Sequence, residues 1–81
     1  MSNPLTTSLG NLHPGEKAAI SSINAEESLF QRLTAMGFRV GKQIEMVRRA
    51  SFNGPLHVRI GTTEIILRRS EAHRIQINTG L

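Results

Sequence analysis

Three histidines and six glutamates are the side chains with which this 81-residue chain could ligate a metal or relay a proton. The histidines are His13, His57 and His73, and the chain has no cysteine and no aspartate. A metal centre needs several such donors converging on one point. No short ligand spacing occurs among these residues, and there is no His-Glu-x-x-His segment. His57 and Glu64 meet only through the hairpin argued below, which makes them, with His73, the candidate ligands. The plainer reading is surface histidines that take up a divalent ion adventitiously, and no resident metal or cofactor is expected. Catalysis fares no better. There is no glycine-rich phosphate loop and no cysteine nucleophile, and Ser8, Ser51 and Ser70 read as loop or cap residues. The expectation is a protein that is not an enzyme and has no recognisable route to nucleotide hydrolysis.

The cations point towards recognition instead. Ten Lys and Arg against six Glu give a net charge of +4, a mild bias towards acidic partners. Most of them follow Gly37, and two pairs stand out, Arg48/Arg49 and Arg68/Arg69. In each pair one side chain is expected to face outward and the other to lie near a strand end. Such charge solubilises a sheet edge and discourages strand-to-strand aggregation. It could equally form a patch for an acidic protein surface or for anionic lipid. A small nucleic-acid-binding barrel is the alternative that the charge allows. It is disfavoured because Tyr and Trp are absent and the three Phe are mostly needed inside, so no stacking platform is evident. Phe30, beside a helix stripe, and Phe52, at a loop tip, are candidates for exposed apolar contact. The partner-binding candidates are therefore Phe30, Arg48, Arg49, Phe52, Arg68 and Arg69.

Residues 1–81 make one domain, and a chain of this size buries only about 60–65% of its unfolded surface. Without cysteine it has neither disulfides nor thiolate metal sites, which fits a reducing cytosol. No apolar run approaches the ~18–20 residues that span a bilayer. The opening MSNPLTTSLGNLHPG lacks the basic and apolar regions of a signal peptide. It reads as a lead-in whose residues 1–8 are flexible, with Leu5, Leu9 and Leu12 available to pack.

The elements that must position these side chains follow from periodicity. Glu16 to Ile23 reads as a first strand, with imperfect alternation of Ala18, Ile20 and Ile23. Asn24 with Glu27 three residues on resembles a capping box, and Leu29, Leu33 and Met36 form the apolar stripe of a helix. Gly37 supplies a left-handed C′ position, and Phe38 should fold back on Leu33 in a Schellman ending. Ile44 and Met46 alternate with Glu45 and Val47 in a second strand. SFNGP is a loop whose Asn-Gly tolerates positive φ. Gly61-Thr62 suits a two-residue type II′ hairpin, which fixes the pairs Arg59–Glu64, Val58–Ile65, His57–Ile66 and Leu56–Leu67. Ser70 caps a helical turn through Ala72, and Ile75 to Ile77 is a last strand, whose edge near Gln76 could pair two copies into a homo-oligomer. The expected fold is mostly β: a small barrel of about five strands, with one amphipathic helix after the first, its oily stripes buried together.

The order and spacing of these pieces is similar to a known family. Arg-Leu-x-x-Met-Gly at the helix end, Gly-x-x-Ile-Glu in the next strand, Gly-Pro-Leu before the hairpin and Leu-Arg-x-x-Glu-Ala at the late turn resemble FeoA, small accessory proteins of ferrous iron transport. The span from Arg32 to Ile77 carries the resemblance, and Ser8 to Ile20 fits the opening strand less specifically. The same module resembles the C-terminal domain of some iron-dependent repressors, but no helix-turn-helix segment precedes it here. The resemblance implies an SH3-like barrel in a bacterial cytosol, peripheral to the inner membrane through one partner, the transporter FeoB, which imports Fe(II) and carries the GTPase. SH3-like domains bind peptides in a groove between loops, so a groove here could accept a segment of that transporter. A metal-binding carrier or sensor built on His57 is the remaining alternative.

Overall fold

The computed structural model describes residues 6–78. Its strands are β1 (Thr6–Ser8), β2 (Lys17–Ile23), β3 (Gln43–Arg49), β4 (Leu56–Ile60), β5 (Thr63–Leu67) and β6 (Ile75–Asn78), with helices α1 (Glu27–Ala35) and α2 (Arg69–Ala72) and a 3₁₀ turn over Leu9–Asn11. All six strands share one antiparallel sheet in the order β1-β6-β2-β3-β4-β5. β1 and β5 lie at its ends and do not pair with each other, so among the described residues no ladder closes the barrel.

Two expectations change with that order. The described residues hold six strands where about five were expected, because the lead-in joins the sheet at Thr6: Thr7 sits opposite Ile77 and Ser8 opposite Gln76. Leu9 and Leu12 supply the reason, since both are buried in the core and draw the preceding residues against β6. Residues 1–5, with Leu5, lie outside the described residues. In consequence β6 is covered on both sides, by β1 and β2, and Gln76 offers no free edge for a second copy. Among the described residues the open edges are those of β1 and β5.

The inward rows of β2–β6 bury Ala18, Ile20, Ile44, Met46, Leu56, Val58, Ile60, Ile65, Leu67, Ile75 and Ile77. α1 presses Leu33 into this interior, with Leu29 and Met36 partly buried beside it. Its end is the Schellman motif expected: Gly37 has φ +106°, its N–H bonds the Thr34 carbonyl, and the Phe38 N–H bonds the Leu33 carbonyl at 3.0 Å. Phe38 is fully buried as a result.

The caps differ from the sequence reading. Asn24 does not cap α1; its N–H bonds the Arg74 carbonyl at 2.7 Å, extending the β2–β6 ladder by one rung, so the helix starts only at Glu27. Ser70 does not cap α2 either. Glu71 does, its carboxylate accepting the Arg68 N–H at 3.0 Å. Positive φ in the 50s loop falls on Phe52 (+56°) and Asn53 (+61°) and not on Gly54. Gly54 is needed for space, because a Cβ there would stand 2.7 Å from the Ala50 Cβ.

Bulges decide which side chains face inward. β2 shifts register between Ile20 and Ser22, and β3 between Met46 and Arg48. The first explains the imperfect alternation of Ala18, Ile20 and Ile23. The second inserts Val47 and reverses the pleat, so Arg48 lies opposite outward His57 and Arg49 opposite buried Leu56.

Candidate functional site

The two arginine pairs divide as the bulge dictates. Arg49, delivered to the inner side, donates from one Nη to the carbonyls of Gly10 (2.6 Å) and Leu12 (2.8 Å). It thereby ties the 3₁₀ turn to β3. Arg69, in the first turn of α2, donates from Nε to the Gly54 carbonyl (2.9 Å) and from Nη to the Ala50 carbonyl (3.0 Å). Both guanidiniums are occupied with backbone, Arg69 matching two carbonyls with two nitrogens of its planar fork and Arg49 serving two from a single Nη. Arg48 and Arg68 are exposed and, among the described residues, have no hydrogen-bond or ion-pair partner through their side chains.

The outward face of β3–β4–β5 carries two cross-strand rows. One is Glu45–Arg59–Glu64, in which Arg59 donates to both carboxylates at 3.0 Å. Glu64 also lies 2.7 Å from His57 Nε2. The hairpin thus brings the candidate ligands His57 and Glu64 together in the register expected, while His73 sits apart at the end of α2, beside the Ser8 hydroxyl. Among the described residues no group of three or more His, Cys, Asp or Glu could hold a metal ion.

Hydrogen bonds from Arg59 and then His57 hold the Glu64 carboxyl below its ordinary range, and Glu64 raises Arg59. The folded state therefore binds this proton less readily than the unfolded chain. The stabilisation is present above the unfolded carboxyl value and is lost as pH falls through the lowered folded value. Glu64→Gln should accordingly flatten the acid-side fall in melting temperature while changing it little once the pH is low enough to protonate Glu64 in both states, which melting at a series of pH values will show.

The second outward row is Arg48–His57–Ile66. Ile66 is 61% exposed, a large apolar side chain that the hairpin register itself placed outside. Beyond this row lies the 50s loop, with Phe52 fully exposed at its tip. A bulky residue at positive φ is an outlier that costs of order 1–3 kcal/mol. The Arg69 clamp on Ala50 and Gly54 holds the loop in that form. Phe52→Gly is expected to raise the unfolding free energy by about 1 kcal/mol, measured in urea, although it removes an aromatic ring.

Between the loop and α2 runs a groove of about 470 Å³, lined by Asn53, Pro55, Ile66, Arg68 and Arg69 among others. A separate apolar depression of about 400 Å³ is lined by Ile23, Phe30, Phe38 and Val40. Of the candidate contact residues, Phe52, Arg68 and Arg69 belong to or border the first region, Arg48 to the adjoining row, and Phe30 to the second. Ile66 and Val40 were not among the candidates. The alternation of the hairpin could have identified Ile66, but Val40 follows an irregular turn and left no signal.

A family model described as the FeoA domain matches residues 7–79. A Campylobacter jejuni protein described as an Fe(2+) transport protein A is 34% identical over 70 residues, covering 86% of this chain and 95% of that one. A Porphyromonas gingivalis protein, described as a fusion of Fe(2+) transport protein A with the Fe(2+) transporter FeoB, is 33% identical over 69 residues; these are 85% of this chain and 8% of the fusion. Among solved structures, Stenotrophomonas maltophilia FeoA complexed with zinc, described as an SH3 domain protein, superposes with a TM-score of 0.79 at 30% identity, covering 89% of each chain. A manganese-dependent transcriptional repressor shares the fold at 18% identity and TM-score 0.87, covering 100% of this chain and 45% of its own.

Proposed function

The chain belongs to the FeoA domain family of ferrous iron transport, and on that premise we propose that it acts as a non-enzymatic accessory protein which docks on a FeoB-type membrane transporter. The observation that carries this reading is the fusion relative, in which an FeoA-like segment and the transporter occupy one polypeptide. No helix among the described residues is long and apolar enough to cross a membrane. On this reading the protein works in the cytosol and reaches the inner membrane through its partner. Its surface is suited to contact: exposed Phe52 and Ile66, with Arg48 and Arg68 left unneutralised. The polar residues of the outer face are engaged with one another, which favours contact over catalysis. Iron is then the partner's cargo and not a ligand of this chain.

Deleting the gene should abolish most Fe(II) uptake by cells supplied with radiolabelled Fe(II), and the intact gene should restore it. The purified protein should not hydrolyse GTP. His57→Ala should restore uptake as fully as the intact gene. Uptake that survives deletion unchanged contradicts the proposal. Loss of uptake with His57→Ala, in a protein that still folds, would favour the metal-carrier reading instead.

A further inference from the structure

β5 ends the sheet, and its outer edge is unpaired among the described residues. In a two-residue hairpin the residues flanking the turn exchange both hydrogen bonds, and the following pairs alternate. The register Ile60↔Thr63, Arg59↔Glu64, Val58↔Ile65, His57↔Ile66 therefore directs the N–H and C=O groups of Glu64 and Ile66 away from β4. An edge of this kind is normally blunted by charge. Here the charge is Glu64, and both its oxygens are already taken by Arg59 and His57. Glu64 is thus offset in part by Arg59, which it shares with Glu45, and an exposed Ile66 stands at the middle of the edge.

The groove at the end of this edge has a definite charge character. Glu71 is spent on Arg32 and on the Arg68 N–H, and Arg69 on the loop carbonyls. The charge left over is that of Arg68 beside the groove and Arg48 in the Ile66 row. The apolar contacts on offer are Ile66, Pro55 and the ring of Phe52. Backbone donors and acceptors, alternate apolar sites and unneutralised cations together describe one kind of ligand.

We propose that the β5 edge and the adjoining groove bind an extended protein segment in which apolar and acidic residues alternate, added to the sheet as a seventh strand. Glu64 and Ile66 supply the main-chain hydrogen bonds, Ile66 and Pro55 the apolar contacts, and Arg68 the pairing for carboxylates, with Arg48 two strands further in adding only its positive field. The free ladder positions favour a peptide over a lipid surface, which has no strand to add. The inference rests on the docking reading above and gives it a place and a ligand chemistry; it does not require that the segment belong to a transporter.

The test uses the full ¹⁵N-labelled chain titrated with a short acetylated peptide alternating glutamate and valine. The expected result is saturable shifts confined to residues 53–54 and 64–69. Backbone N-methylation of the same peptide at alternate positions, or lysine in place of glutamate, should abolish them. Arg68→Glu and Ile66→Thr, both at exposed positions, should each weaken binding by about fivefold or more while leaving the rest of the spectrum unchanged. Shifts centred on Phe30 and Val40, equal binding of the N-methylated peptide, or binding of phosphatidylserine vesicles with none of the peptide would each overturn the proposal. So would a concentration-dependent dimer joined at β5, which would make the occupant a second copy. A transporter domain that binds elsewhere would leave the docking reading standing and remove only this placement of it. Peptide binding at β5 without transporter binding would do the reverse.

Discussion

Phe38→Ala is expected to cost about 3–5 kcal/mol of stability, the usual penalty for removing a fully buried aromatic ring. A domain of this length has a total of only about 4–12 kcal/mol, so the variant should lose a quarter of its stability or more. The ring is placed by the chain reversal after α1: Gly37 takes the left-handed conformation, and the Phe38 N–H returns to the Leu33 carbonyl. Of the three phenylalanines it is the one in the core, since Phe30 and Phe52 are exposed. Phe30→Ala is the matched control and should change stability by under about 1 kcal/mol. Urea unfolding of the two variants decides the matter. Equal losses would mean that Phe38 is not the core anchor.

Arg49→Met should cost about 2–3 kcal/mol although it replaces a surface-type residue at a strand end. Methionine keeps an apolar stem of similar length but removes the Nη that serves Gly10 and Leu12. Those part-buried carbonyls would lose a charge-assisted partner, and the 3₁₀ turn carrying buried Leu9 and Leu12 would lose its tie to β3. Arg48→Met, one residue away, should stay within about 0.5 kcal/mol because Arg48 has no side-chain partner among the described residues. Native-state hydrogen exchange should show faster opening of Leu9–Leu12 and β1 in the Arg49 variant only. Comparable losses for the two substitutions would contradict the division of the pair.

This contrast shows what the sequence could and could not disclose. Gly61-Thr62 fixed the β4–β5 register because a two-residue turn leaves one pairing, and every pair followed from it, including the outward position of Ile66. The end of α1 was equally legible, since Gly37 and Phe38 satisfy a local hydrogen-bond pattern. The fate of Arg48 and Arg49 was not legible. It depends on one inserted residue, Val47, and an arginine pair reads the same with or without a bulge. Asn24 was misread as a cap because its real partner, Arg74, lies 50 positions away and competes through the β2–β6 ladder. β1 was missed for a related reason: three residues without an apolar one show no alternation, although threonine favours strands, and their pairing with β6 is set by the burial of Leu9 and Leu12. Of the candidate surface, Phe52 was legible as a loop tip, and positive φ in Asn-Gly is met at Asn53, but the same conformation at Phe52 was not expected. The Arg69 clamp that holds the loop is a contact between distant segments.

The reading as a docking module is tested most directly by adding the soluble GTPase domain of the FeoB-type transporter from the same genome to the ¹⁵N-labelled chain. The account predicts saturable, stoichiometric perturbation of a contiguous set of exposed residues, with the core signals unchanged. A spectrum that stays the same up to saturating domain, under conditions where both proteins are folded, would contradict it.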